Sequence, residues 1–101
     1  MENHITKEER NDCLMQNLLL LMRIKGCKEG SLHIECKSKL TEKGDISWTA
    51  KASIINNVNT RVVYESDTAC VSKEDAEYRV MRVAEAALLK SIMDHMCTCI
   101  D

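Results

Sequence analysis

Proline and phenylalanine are absent from this chain of 101 residues, and glycine occurs only three times. The only aromatic residues are Trp48, Tyr64 and Tyr78, so a core has to consist of aliphatic side chains, methionine and alanine. No repeat, low-complexity tract or linker-like break interrupts the chain. These absences predict one small domain with a modest core.

An excess of positive charge is also missing. The net charge is -2 and the isoelectric point is about 5.9. Proteins that bind nucleic acid depend on basic surfaces, so any such contact here has to come from a local cluster. The longest apolar run, residues 18–22, is far too short to cross a bilayer, and we expect no membrane partner.

No signal peptide precedes the six cysteines, because residues 1–12 are polar and charged. The sequence therefore predicts an intracellular, reducing location, where clustered cysteines indicate metal binding rather than disulfides.

Two segments carry helix patterns. Ser72 with Asp75 and Thr6 with Glu9 have the spacing of N-terminal capping pairs. The first helix is predicted from residue 7 or 11 to residue 25, with Gly26 as a left-handed cap. Apolar stripes at helical spacing follow both caps: Leu14, Leu18, Leu21 and Ile24 in the first helix, and Ala76, Val80, Val83, Ala84, Ala87, Leu88 and Ile92 in the second.

Three segments between the helices alternate between apolar and polar residues. They centre on residues 32–37, 46–54 and 61–65, with turns predicted at residues 41–45 and 56–59. The pattern predicts an α+β fold in the order α-β-β-β-α, with a three-stranded antiparallel sheet and two helices on one face. Residues 1–10 are predicted to be a flexible segment and residues 11–101 the domain.

The last helix resembles that of the double-stranded RNA-binding domain. It begins Ser72-Lys73 and has alanine at its fifth and thirteenth positions, Ala76 and Ala84. Trp48 stands where the family usually has a core aromatic residue in its second strand. The resemblance covers roughly residues 11–92 and implies the same α-β-β-β-α fold.

Several residues depart from the family pattern. The family carries lysine at the second, third and sixth positions of this segment, where the chain has Lys73, Glu74 and Glu77. Residues 41–45 also lack the Gly-Pro-x-His element of the family's first hairpin loop. Because carboxylates repel phosphates, we expect weak duplex binding at most.

The candidate nucleic-acid-binding residues are Lys73, Arg79 and Lys43. The resemblance implies that basic residues at the start of the last helix meet the phosphates of A-form RNA. Three further lysines are Lys37, Lys39 and Lys51. Together with Lys43 and Lys73 they form either a diffuse basic patch or an ordinary solvated surface.

Cys97 and Cys99 lie just past the predicted end of the last helix, and two thiolates one residue apart can bind one ion. In the resembled fold the helices run roughly parallel, which implies that this tail approaches Cys27 and His33. These four residues predict a structural Cys3His zinc site, similar to the zinc-binding extension of fungal Dicer C-terminal domains. Alternative ligands are His95 and Cys13. The alternation of the first strand places His33 on its polar face, where it could simply face solvent. Cys36 and Cys70 are predicted to fill the core.

No catalytic pattern occurs in the chain. It has no glycine-rich phosphate loop and no G-x-S-x-G motif, and the adjacent Asp94 and His95 point in different directions on a helix. The domain itself is therefore predicted not to be an enzyme. The resemblance leaves open that it is the C-terminal part of a ribonuclease III enzyme of the Dicer type.

Three functions stay open at this point. The first is a domain of an RNA-silencing factor that acts mainly in protein interaction or localisation and binds duplex nucleic acid weakly; the resemblance favours the nucleus over the cytoplasm. The second is a genuine duplex RNA- or DNA-binding module. The third is a homodimerising domain that uses the third strand or the leucine run at residues 18–21.

Overall fold

The structure is a computed structural model that describes residues 5–98, with side chains described for residues 5–94. The predicted α+β class and the order α-β-β-β-α are confirmed. The elements are α1 (Lys7–Lys25), β1 (His33–Leu40), β2 (Ile46–Ile55), β3 (Arg61–Glu65) and α2 (Lys73–Thr98).

Helix α1 begins at Lys7, the earlier of the two predicted starts. The hydroxyl oxygen of Thr6 accepts a hydrogen bond from the backbone N–H of Glu9 at 3.1 Å, which confirms the predicted cap. Lys7 Nζ lies 3.0 Å from Asp75 Oδ2, so the first turn is joined to α2. The predicted boundary at residue 11 therefore falls inside this helix, and residues 7–10 are part of the folded unit.

Gly26 ends α1 in the left-handed conformation, as predicted, with φ at 84°. Its N–H donates to the carbonyl of Arg23 at 3.1 Å, and the N–H of Cys27 donates to the carbonyl of Met22 at 2.8 Å. This pair of bonds is a Schellman motif, which satisfies two carbonyls that the helix end leaves unpaired.

The three strands form one antiparallel sheet in the order β1-β2-β3. Both predicted turns are present. Thr41 donates its backbone N–H to the carbonyl of Asp45 at 2.7 Å in the first turn, and Asn59 has a φ of 63° in the second. Beyond β3 the chain returns to the sheet at Cys70, which exchanges two backbone hydrogen bonds of 2.8 Å with Trp48.

The core lies between α2 and the inner face of the sheet. Ala76, Val80 and Ala84 of α2 are fully buried in one cluster with Ala50 and Ala52 of β2. Small side chains on both elements allow the helix to approach the sheet closely. Helix α1 packs beside α2 and completes the core.

Two details of the predicted stripes differ. Ile24, placed in the buried stripe of α1, is 60% exposed, while Met22 is 3% exposed. The buried positions of α1 are Leu14, Leu18 and Met22, each four residues apart, and this spacing turns Ile24 away from α2. Met81 of α2 was not predicted to be buried, yet it is 2% exposed, because this side of α2 faces α1 rather than the sheet.

Candidate functional site

Lys73 and Lys43 lie at the same end of the sheet, and both are exposed. Lys73 is the first residue of α2, shortly after Cys70 pairs with Trp48, and Lys43 is in the β1–β2 loop that precedes Trp48. The fold thus brings these two predicted nucleic-acid-binding residues to one end of the molecule.

Arg79 is on another side of α2. Its Nη1 lies 3.4 Å from Oδ1 of Asp67, in the connection that follows β3. Lys73 is instead near Cys36 of β1, at the other edge of the sheet. Burial and the carboxylate of Glu77 raise the pKa of the Cys36 thiol, whereas the charge of Lys73 lowers it. The three predicted contact residues therefore do not share one face.

An acidic groove lies between the first halves of the two helices. It is lined by Glu8 and Asp12 of α1 and by Glu74 and Glu77 of α2, with Met15 and Met81 among its apolar lining. No basic side chain lines it within the described part of the chain. The side-chain amide of Asn11 donates to the backbone carbonyl of Glu74 at 2.9 Å, so the two helix starts are fixed relative to each other.

The acidic groove includes the two positions at which the resembled family carries lysine. Sequence reasoning singled out Glu74 and Glu77 but missed Glu8 and Asp12. Their spacing of four residues places them on one side of α1, which is a signal that the sequence contains. That this side faces Glu74 and Glu77 depends on how α1 lies against α2. Four carboxylates in one groove repel phosphate groups.

Arginine side chains of both helices lie in a cluster around the ring of Tyr78. The guanidinium carbon of Arg10 lies 4.0 Å from the centre of the Tyr78 ring, and that of Arg82 lies 5.9 Å from it. Both distances allow cation–π attraction. Arg79 joins them along an open cavity of 780 Å³. Sequence reasoning found Arg79 but missed Arg10 and Arg82.

Asp75 holds this cluster together. One carboxylate oxygen accepts from Lys7 at 3.0 Å, and the other accepts from Nη2 of Arg10 at 3.3 Å. Its backbone N–H donates to the hydroxyl oxygen of Ser72 at 3.2 Å, which confirms the predicted cap of α2. Hydrogen bonds from the side chains of Lys7, Ser72 and Arg10 lower the pKa of Asp75.

The other lysines do not extend a basic patch from Lys73. Lys37, Lys39 and Lys51 point from the strands to the open face of the sheet, whereas Lys73 begins the helix that covers the opposite face. Lys51 Nζ also lies 3.4 Å from Oε1 of Glu65, so its charge is partly balanced. This arrangement is that of solvated lysines on an exposed strand face.

The proposed zinc ligands are only partly described. The prediction that the last helix ends before Cys97 is wrong, because α2 continues to Thr98. Cys99 lies outside the described residues, and so do the side chains of Cys97 and of the alternative ligand His95. Cys27 packs against the core, and burial raises the pKa of its thiol, whereas His33 is exposed and lines a different cavity. Among residues 5–94, no three His, Cys, Asp or Glu side chains are arranged so that they could hold a metal ion. The four-residue site stays a prediction.

Of the remaining cysteines, Cys36 and Cys70 were predicted to fill the core. Cys70 is buried, and Cys36 is half-buried against the core. Cys13 is exposed on α1.

No helix in the described part of the chain is long and apolar enough to span a membrane.

Comparison of the chain with protein-family models, with curated proteins and with solved structures gives no match.

Proposed function

We propose that this chain is a non-catalytic domain of the double-stranded RNA-binding type from an RNA-silencing factor, similar to the domain that ends Dicer enzymes. It acts mainly in protein interaction or localisation, and it binds duplex RNA or DNA weakly and without sequence preference. The resemblance of the last helix and the α-β-β-β-α order support the domain type. The acidic groove supports the emphasis on protein contacts.

The charges of the side chains at the start of α2 are the main support for this proposal. Binding to duplex nucleic acid depends on cations that displace counterions from phosphates, and each missing cation weakens binding further. Lys73 supplies one such cation, but Glu74 follows it directly and Glu77 lies one turn later. The acids of α1 add to the same negative groove, so the favourable N-terminal dipole of α2 meets four carboxylates.

A titration with duplex RNA of about 20 base pairs tests the proposal, since domains of this type span about 16 base pairs. At physiological salt we expect dissociation constants above the micromolar range. The double variant Glu74→Lys/Glu77→Lys should bind at least about tenfold more tightly, and its salt dependence should steepen by about one for each added phosphate contact.

A matched control is Glu29→Lys/Glu35→Lys, which changes the net charge equally at two exposed positions away from α2. Equal gains in both double variants would mean that net charge alone sets the affinity. Sub-micromolar binding by the unaltered chain, abolished by Lys73→Glu with Lys43→Glu, would instead identify a genuine duplex-binding module.

A further inference from the structure

We propose that the free edge of β3 pairs with the same strand of a second copy of this chain, so that two sheets join into one antiparallel sheet. Val63 lies at the two-fold axis of this pairing, and on either side of it Arg61 of one copy faces Glu65 of the other. The inference goes beyond the proposed function and does not depend on it, because a strand edge pairs in the same way whether or not the domain binds RNA.

Strand β3 forms one outer edge of the sheet, and its alternate residues direct their backbone groups away from β2. The N–H of Asn56 donates to the carbonyl of Thr60 at 2.9 Å, so Thr60 faces β2. Antiparallel partners exchange hydrogen bonds only at every second residue. The backbone N–H and C=O groups of Arg61, Val63 and Glu65 therefore point to the free edge, where they form a template for another strand.

Val63 is an exposed apolar residue at the centre of this edge. It is 54% exposed and lies opposite Ser53 of β2, on the open face of the sheet that also carries Lys51. Residues 61–65 contain neither lysine nor proline, two residue types that commonly prevent edge strands from pairing. Pairing with a second copy removes the side chain of Val63 from water by placing it against its own equivalent.

The charges of β3 are complementary to those of an antiparallel second copy. When Val63 faces Val63, Arg61 of each copy faces Glu65 of the other, and opposite charges directly across a sheet stabilise the pairing. A register shifted by two residues sets Val63 against a charged residue and shortens the overlap. A parallel pairing sets Arg61 against Arg61 and Glu65 against Glu65, so the charges favour the antiparallel register centred on Val63.

Both charged side chains are accessible to a second copy. Arg61 Nη1 donates to Ser53 Oγ at 3.1 Å, and Arg61 makes no ion pair with a described residue. Glu65 Oε1 lies 3.4 Å from Lys51 Nζ, but the Glu65 side chain is 67% exposed, so a second cation can approach it. A guanidinium binds a carboxylate through two parallel hydrogen bonds, which suits arginine at this position.

Helix α1 lies away from the β3 edge. Burial and the carboxylate of Glu77 raise the pKa of Cys36 in β1, and Glu77 also lines the acidic groove with α1, so α1 lies on the β1 side of α2. On its other side, α2 places Arg79 next to Asp67, in the connection that follows β3. A second copy can therefore approach β3 without meeting α1.

Sedimentation equilibrium of the full chain under reducing conditions, taken to millimolar concentration, tests the proposal. We expect a reversible equilibrium between monomer and dimer. Val63→Lys places two like charges at the two-fold axis and should raise the dissociation constant of the dimer at least about tenfold. The control Val58→Lys makes the same change at a 71% exposed position in the turn between β2 and β3, and it should leave the dissociation constant unchanged.

Two charge variants test the register of the pairing. Arg61→Glu leaves only acidic charges on the strand and Glu65→Arg leaves only basic ones, so each variant alone should dimerise at least about tenfold more weakly. Mixed in equal amounts, the two variants should form a heterodimer with the affinity of the unaltered chain, because every opposite pair is restored. Circular dichroism at low concentration checks that each variant is folded.

Several outcomes would overturn the proposal. These are a chain that stays monomeric at millimolar concentration and a dimer that Val63→Lys leaves intact. A dimer that only Leu20→Lys dissociates would assign the association to the leucine run of α1 instead. A mixture of the two charge variants that binds more tightly than the unaltered chain would indicate a parallel pairing. The duplex titration of Glu74→Lys/Glu77→Lys is independent of these results, so either proposal can fail alone.

Discussion

Single residues set the chemistry of each surface on the helix pair. Glu74 and Glu77 make the start of α2 acidic. Tyr78, which follows Glu77 directly, has the guanidinium of Arg10 over its ring. Asp75 lies between Glu74 and Glu77 in the sequence, and it joins the starts of both helices through Lys7 and Arg10. A change at this one position therefore affects both stability and the arrangement of the arginines.

The ion pairs of Asp75 predict a pH dependence of stability. Its pKa is lowered in the folded state, so its contribution is complete above the ordinary carboxyl pKa of about 3.9 and is lost as the pH falls through the lowered value. Asp75→Asn should lower the free energy of unfolding by about 1 kcal/mol at neutral pH and by less in acid. Urea unfolding at about pH 7 and about pH 2.5 measures both values.

Asp45→Asn is the control for this measurement, because Asp45 is exposed in a loop and makes no ion pair with a described residue. As an exposed substitution, it should change the free energy of unfolding by less than about 0.5 kcal/mol. An Asp75→Asn variant whose stability falls with pH as steeply as that of the unaltered chain would contradict the assigned role.

At the scale of elements, the alanine face of α2 determines how closely the helix lies on the sheet. Ala84 of α2 and Ala52 of β2 are both 0% exposed in the same cluster. With methyl groups on both sides, the contact leaves no room for a larger side chain unless the backbone moves. The placement of α1 also depends on this packing, because α1 in turn rests on α2.

Ala84→Leu should destabilise the domain by about 1–3 kcal/mol through overpacking. Ala86→Leu introduces the same side chain two residues later, at an exposed position of the same helix, and should change stability by less than about 0.5 kcal/mol. Thermal or urea unfolding of both variants makes the comparison. Equal stability of the two would contradict the close packing of α2 on β2.

At the scale of the whole molecule, the small net charge conceals a separation of charge. Four carboxylates line the acidic groove. Three arginines line the cavity beside Tyr78 together with the carboxylates of Asp67 and Asp75, and the lysines of β1 and β2 occupy the open face of the sheet. Such a distribution directs partners of different charge to different surfaces.

The predicted zinc site is also a property of the whole molecule, because its predicted ligands come from distant parts of the chain. Protein purified without chelators should contain about one zinc ion per chain by elemental analysis. Cys27→Ser and Cys99→Ser should each lower the zinc content. Loss of zinc in Cys13→Ser instead would identify the alternative ligand, and zinc-free unaltered protein would contradict the site.

The sequence by itself determined the elements of this protein. The caps at Thr6, Ser72 and Gly26 and the turns at residues 41–45 and 56–59 follow from local hydrogen bonding and backbone preference, which depend on a few neighbouring residues. The sequence also predicted which strand residues face the core, because side chains alternate strictly between the two faces of a sheet.

Only the tertiary structure decided which residues of different elements share a surface. The placement of α1 beside α2 brings Glu8 into the same groove as Glu74 and brings Arg10 to the ring of Tyr78. It also buries Met22 and Met81 while leaving Ile24 exposed. Local pattern does not contain this information, because the angle and offset between two helices depend on the packing of their side chains against each other and against the sheet.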